Sequence, residues 1–383
     1  MAVRRNTPAP RRRAALALTT STLLALAACA GSGASDDDGG DRGSEDVAAC
    51  VEEATASVEA AKAPMQIADL TPFDASQVEG DTFMMVQLSG KSETSTANAK
   101  GFADAMESVG ATGLKFDGKG TPDVIAQGFQ SAIAQEVDGI VTDGFDPSLV
   151  PASVEAAQEA GIPVVAAHVG VGGEKTDGVV AAVSVNNVKY GRLQADYALA
   201  TSDCDVDALV FFTTAGKGTV HNADGLEERL EELCPDDCSL ERVDVNAATY
   251  VTSMAGQVQT TLQRNPDTNF LITTADFWTP YMIQGSKAVG REVPMIGGAQ
   301  GEWLGESIKG NGVVANLLWP PGEVPGWYEA DALMRAAAGE PKDQEMPVRL
   351  VDASNWGTDA GFEAQFPELA DYQDVFKKAW GVS

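Results

Sequence analysis

Short apolar runs alternate with amphipathic stretches along most of this chain. The first run is Thr82–Leu88, Thr-Phe-Met-Met-Val-Gln-Leu. From Thr94 to Val109 the residues Phe102, Met106 and Val109 recur near helical spacing. A strand is expected over Gly113–Phe116, then a helix from Thr121 to about Gln135, with Pro122 in its first turn. Gly139–Thr142 reads as a strand and Pro147–Ala160 as a helix, stopped by Gly161. Ile162–Ala167 is the next strand. The rhythm then restarts. Helices are expected over Val188–Ala200, Val220–Glu232, Val251–Gln263, Thr279–Val289 and, briefly, Leu304–Ile308. Strands are expected over Ala208–Phe212, Leu240–Val245, Phe270–Thr273, Val293–Ile296 and Gly312–Leu318. Short apolar strands between amphipathic helices predict parallel sheets covered on both faces. Two such series predict an α/β protein of two Rossmann-like lobes. Open parallel sheets bind ligands at the carboxyl ends of their strands, so facing lobes make a cleft.

The first 28 residues do not fit that rhythm. Met1–Arg13 holds five Arg and no acid, and an apolar run follows from Ala14 to Ala28. That run is short of the ~20 residues that span a bilayer. It reads as an export signal. The junction Leu26-Ala27-Ala28-Cys29 resembles a bacterial lipobox, in which the Cys is lipidated and becomes the new N-terminus. From Gly31 to about Ser44 the chain is mostly Gly, Ser and Asp, which cannot bury a core and is expected to be a flexible tether.

Charge and composition narrow the chemistry. The 383 residues carry 26 Lys+Arg against 56 Asp+Glu, a net charge of −30. Such acidity argues against nucleic acid, whose binders set Lys and Arg against phosphates. It also argues against a basic patch on an anionic membrane. With only His168 and His221, a multi-histidine metal site is impossible, and the five Cys do not make a zinc spacing. No metal or cofactor is therefore expected. After Cys29, the four cysteines Cys50, Cys204, Cys234 and Cys238 favour disulfides in an exported protein. Three pairings are possible. The strands after Cys204 and Cys238 could be neighbours, which favours a bridge from Cys204 to Cys234 or Cys238.

The order of several stretches resembles the type I periplasmic binding proteins, the ribose- and galactose-binding group. Gly139-Ile-Val-Thr-Asp-Gly-Phe-Asp146 looks like that family's strand and loop after the second helix. Ala160-Gly-Ile-Pro-Val-Val165 is similar to its Ile-Pro-Val run. Ser184-Val-Asn-Asn187 with Gly191 and Asp196-Tyr197 is similar to its first crossover. Gly225-Leu226 and Asn265-Pro266-Asp267 match the following units. The resemblance covers about Thr82 to Leu350. It implies lobes hinged by three crossovers, near Asn186, Pro320 and Met346, with a helix from about Glu323 to Ala338 returning to the first lobe. The expected division is 1–28 signal, 29–46 tether and 47–81 N-terminal extension. Lobe 1 would take 82–185 and 320–345, and lobe 2 would take 186–319 and 346–383.

Ligand positions carried over from the resemblance are Ser89, Ser92, Glu93 and Thr94 after the first strand, and Asp143 at a strand end. The family's Asp-Arg pair after the Ile-Pro-Val strand is replaced here by His168-Val169. Further carried-over positions are Asn222, Tyr250, Asp276, Gln300 and Trp319; Trp278 is added because it begins a helix after a strand end, where it could stack on a ligand or pack in the core. Asp143 and Asp276 could instead cap helices. The set is rich in aromatic and neutral polar groups, with no obvious Arg or Lys for an anion. It implies a small neutral solute, a sugar or polyol first and an aromatic metabolite second. A Gly-x-Ser-x-Gly elbow is absent, and Gly216-Lys217-Gly218-Thr219 lacks the leading Gly of a phosphate loop. The chain is thus expected to be no enzyme but a monomeric, lipid-anchored receptor. It would hand its solute to an ABC permease and its ATPase, or report it to a membrane sensor.

Overall fold

The computed structural model describes residues 44–67, 70–91, 93–168, 175–214, 216–246, 249–298, 303–308, 310, 312–357 and 363–382. Cys29 and most of the expected tether lie outside them. Among the described residues are two six-stranded sheets. In lobe 1, β1 (Thr82–Gln87), β2 (Thr112–Asp117), β3 (Gly139–Asp143), β4 (Val164–Ala167), β5 (Val179–Ser184) and the two-residue β11 (Gln344–Glu345) run in the order β11-β5-β4-β3-β1-β2. All its pairings are parallel. In lobe 2, β6 (Asp207–Phe212), β7 (Ser239–Asp244), β8 (Phe270–Thr273), β9 (Met295–Gly297), β10 (Val313–Leu318) and β12 (Arg349–Asp352) run in the order β12-β10-β9-β8-β6-β7. Only β12 runs antiparallel to its neighbour. The two-lobed, mainly parallel α/β architecture follows from the alternation of apolar runs and helices.

The chain passes between the sheets three times: from β5 into α5 (Asn187–Thr201), from β10 into α10 (Val324–Ala337), and from β11 to β12. Helix α10 packs on α2 (Glu93–Ser108) and on β3, β4 and β5, so it belongs to lobe 1. At two helix crossings that bear on the cleft, only glycine fits. A Cβ on Gly191 of α5 would lie 1.9 Å from the Asn222 carbonyl oxygen on α6 (Lys217–Leu233). A Cβ on Gly326 of α10 would lie 2.2 Å from the Asn98 carbonyl oxygen on α2. These contacts draw α6 and α10 inward and so position Asn222 and Glu329.

Three segments differ from the expectation. Residues 44–46, expected to end the tether, instead begin helix α1 (Ser44–Ala61), which runs on into the expected N-terminal extension. It buries Cys50, Ala54 and Val58, spaced by four, and packs on α5 of lobe 2. The C-terminal tail does not stay with lobe 2. Its helix α11 (Tyr372–Ala379) carries Phe376, which meets Tyr328 of α10 edge-on at 5.0 Å. Trp380 just beyond stacks on Trp327 at 5.3 Å between centroids. Burial of these large rings against lobe 1 outweighs a run along lobe 2. The cysteine pairing also differs. Cys50 bridges Cys204 and Cys234 bridges Cys238. The neighbouring β6 and β7 do bring Cys234 beside Cys204, its Sγ 3.0 Å from the Cys204 carbonyl oxygen, but α1 sets Cys50 against the Cys204 thiol, and Cys234 and Cys238 close on each other across one turn. No helix among the described residues is long and apolar enough to cross a membrane.

Candidate functional site

A cleft of about 620 Å³ opens where the strand ends of the two sheets converge. From lobe 1 it is lined by Leu88 after β1, Phe145 and Asp146 after β3, and His168 after β4. From lobe 2 it is lined by Asn187, Tyr190 and Asn222 on α5 and α6, Thr213 after β6, Phe277 and Trp278 after β8, and Trp319 after β10. No Lys or Arg is among the described lining residues. Leu149 and Phe277 are exposed at opposite rims, at 46% and 54%.

The wall is mostly apolar, and its few polar groups have distinct states. Asp146 is spent on capping, accepting from the Ser148 amide and the Thr176 hydroxyl at 2.8 Å each. The Tyr190 hydroxyl donates to the Leu317 carbonyl at 2.7 Å. By contrast, Asn187 Nδ2, Asn222 Oδ1 and Trp278 Nε1 are buried and have no protein partner. Buried donors and acceptors without partners are costly, and none of these three atoms is satisfied by the described residues around it.

His168, Asn222, Trp278 and Trp319 come together in this cleft. The His168 and Trp319 rings lie 6.3 Å apart. The other expected residues are placed differently. Ser89 is half-buried and Thr94 exposed, and neither lines the cleft. Tyr250 stands behind it, bracing Phe277 at 5.2 Å between centroids. Ser92 and Gln300 lie outside the described residues, as do the side chains of Glu93 and Asp276. Asn187 and Phe145 were missed. Both sit within three residues of a strand end, the signal that could have found them.

Asp143 does not face the cleft. It lies under His168, in a buried network on lobe 1. His168 takes a left-handed backbone, φ +62°, unusual for a residue with a Cβ. This turns its Nε2 to within 3.4 Å of both Asp143 Oδ1 and Glu329 Oε1. Asn98 Nδ2 donates to Glu329 Oε1 at 2.7 Å and to Asp143 Oδ1 at 3.2 Å. Gln87 Nε2 donates to Asp143 Oδ2 at 3.0 Å. Glu329 is fully buried. Burial pushes its carboxyl up to about 7; the His168 and Asn98 contacts oppose the rise and the Asp143 charge adds to it. A carboxyl held above its ordinary range stabilises the fold while protonated. That contribution is complete below the ordinary Glu range and is lost as pH rises through about 7. Between pH 5 and pH 8.5 the wild type should therefore lose about 3 kcal/mol relative to Glu329→Gln. Urea unfolding of both proteins in chelated buffer checks this. Parallel pH profiles would contradict it.

Residues 88–341 match the periplasmic binding protein domain family. A comparison with the curated proteins finds none that matches. Among solved structures, an ABC sugar transporter subunit from Rhodobacter sphaeroides aligns with a TM-score of 0.63 at 18% identity, over 73% of this chain and 100% of its own. A glucose-galactose binding protein from Geobacillus stearothermophilus aligns with a TM-score of 0.64 at 17% identity, over 72% and 99%. A solute binding protein of an ABC transporter from Bacillus halodurans, with bound myo-inositol, aligns with a TM-score of 0.61 at 17% identity, over 75% and 99%. At these identities the likeness is one of fold.

Proposed function

The chain belongs to the periplasmic binding protein family, a family of non-enzymatic transport components, and from that premise we propose that it captures a small neutral sugar or polyol between its lobes and delivers it to an ABC permease. The observation that carries this reading is the set of unpartnered atoms in the cleft. Asn187 Nδ2 and Trp278 Nε1 are donors and Asn222 Oδ1 is an acceptor. A hydroxyl serves either kind, because it both donates and accepts. The aromatic wall suits the apolar faces of a ring, and a cleft without Lys or Arg gives a carboxylate or phosphate no countercharge. The sugar and polyol ligands of the similar structures support the same class. Closure would bring the exposed Leu149 and Phe277 rims toward each other and remove apolar surface from water.

Anchoring through a lipid on Cys29 would hold this receptor on the outer face of the cytoplasmic membrane, beside its permease. The lipobox and the Gly- and Asp-rich tether support that arrangement, and mass spectrometry of the membrane-extracted protein for a diacylglycerol on Cys29 checks it. The solute class is tested by thermal shift against sugars, polyols and aromatic acids, since a ligand of the native state must raise its melting temperature. A sugar or polyol is expected to do so. Stabilisation by aromatic compounds alone would move the assignment to an aromatic metabolite, which the Phe145, Phe277 and Trp319 wall would also accept. For the stabilising solute, Asn222→Ala should weaken binding roughly tenfold to a hundredfold by calorimetry. Unchanged affinity would remove Asn222 from the site.

A further inference from the structure

We propose that Asp143, His168 and Glu329, completed by Asn98, form a binding site for one divalent transition cation of the Zn²⁺ or Mn²⁺ class. The site belongs wholly to lobe 1 and does not depend on the identity of the solute. Its residues come from four elements: α2, the end of β3, the end of β4, and α10. One ligand atom from each of Asp143, His168 and Glu329 lies within 4.8 Å of the others. His168 Nε2 is 3.4 Å from each carboxylate oxygen. An ion with bonds of about 2.0–2.1 Å to nitrogen and oxygen in tetrahedral geometry sets its ligands about 3.3 Å apart. The observed spacing thus suits a central ion with little rearrangement.

Two further observations point to a ligand there. Asn98 is 2% exposed, and its Nδ2 stands 2.7, 3.2 and 3.5 Å from Glu329 Oε1, Asp143 Oδ1 and His168 Nε2. It occupies the fourth corner of the group. Its Oδ1 is buried with no partner. The two ends of an amide are interchangeable by a half-turn about its terminal bond. After that turn Oδ1 would stand at the fourth corner as a ligand. Glu329 Oε2 is likewise buried with no partner, so the carboxylate has a second oxygen to give to an ion.

The surroundings suit such a site. Gln87 Nε2 holds the outer oxygen of Asp143 at 3.0 Å and also donates to the Ser95 carbonyl at 2.7 Å, as an outer-shell group that orients a metal ligand does. Two buried carboxylates are costly without countercharge, and a divalent ion supplies it. One imidazole with carboxylate and amide oxygens is a mixed nitrogen and oxygen set, which favours Zn²⁺ or Mn²⁺ over Ca²⁺ or Mg²⁺. The His168 ring reaches the cleft, which provides an entry path.

The test is equilibrium dialysis of the purified, EDTA-treated protein against Zn²⁺ and against Mn²⁺, with bound metal counted by elemental analysis and melting temperature followed in parallel. One equivalent of at least one ion, with a higher melting temperature, is expected. Glu329→Gln keeps the side-chain shape and should weaken this binding by at least about a hundredfold. His168→Asn, on the half-buried ring, should do the same and serves if Glu329→Gln fails to fold. His221→Asn is the control and should bind as the wild type does. No saturable binding of either ion would overturn the proposal. Binding that survives both Glu329→Gln and His168→Asn would overturn it equally, by placing the ion on other carboxylates.

Discussion

Replacing Cys50 and Cys204 by Ser is expected to lower the unfolding free energy by about 5 kcal/mol. The bridge spans a sequence separation of 154, and the entropy removed from the unfolded chain grows with the logarithm of that length. Replacing Cys234 and Cys238, only 4 apart, should cost about 2 kcal/mol on the same reasoning. The contrast is the discriminating part of the prediction. Both bridges sit in the same region of lobe 2, so their local environments are similar while their loop lengths differ widely. Guanidinium unfolding of the two double variants, each compared with the wild type under oxidising conditions, measures the difference. Equal losses would mean that local contacts, not chain entropy, set the value of these bridges. Without the long bridge, α1 should keep its packing on α5 and its Ser57 and Glu53 contacts to Asp196 and Arg229.

Arg229→Met is expected to cost about 3–5 kcal/mol. Arg229 on α6 is 6% exposed, and its Nε donates to Asp196 Oδ1 of α5 at 2.6 Å. Its Nη1 also reaches Glu53 of α1 at 2.9 Å and Glu232 at 3.2 Å. Asp196 is itself 2% exposed, and its other oxygen accepts from the Ser57 hydroxyl of α1. Removing the guanidinium leaves a buried carboxylate with one neutral donor. A lone buried charge is far more expensive than a missing pair. The double variant Arg229→Met/Asp196→Leu should therefore recover most of the loss. Denaturant melts of the two single variants and the double variant give the coupling. A double variant no more stable than Arg229→Met would show that the pair is not the source of the effect.

The βα rhythm was legible because most strands are continuous apolar runs between helices with clear periodicity. Phe83–Val86 and Val210–Phe212 are buried on both faces, as strands of a covered parallel sheet must be. Other elements carry weak signals. Val179–Ser184 reads Val-Val-Ala-Ala-Val-Ser, and two central Ala blunt its strand character, so β5 was not recognised. Helix α1 buries only a narrow stripe of small side chains on an acidic body, a weak helical signal. The tail helix carries only a few apolar residues and finds its place through Trp327 and Tyr328, which lie more than forty residues away. At the cleft, strand ends could be counted along the chain. The direction of each side chain could not. Asp143 and His168 both end strands, yet one turns beneath the cleft and the other into it. Glu329 gave no sign at all, because it lies in the middle of a helix and meets its partners only through the glycine crossing of α2 and α10.

The Cys50–Cys204 bridge also settles how a pull on the N-terminus is shared. Cys50 lies in α1, six residues beyond its first residue, and Cys204 follows the end of α5. Tension arriving from the chain ahead of α1 meets the bridge before it meets β1. The covalent route of least length then runs straight into lobe 2, past the 153 intervening residues that include all of β1 to β5. Lobe 1 and the three crossovers carry almost none of that load. A molecule moored by its N-terminus can thus be tugged without its cleft being prised open.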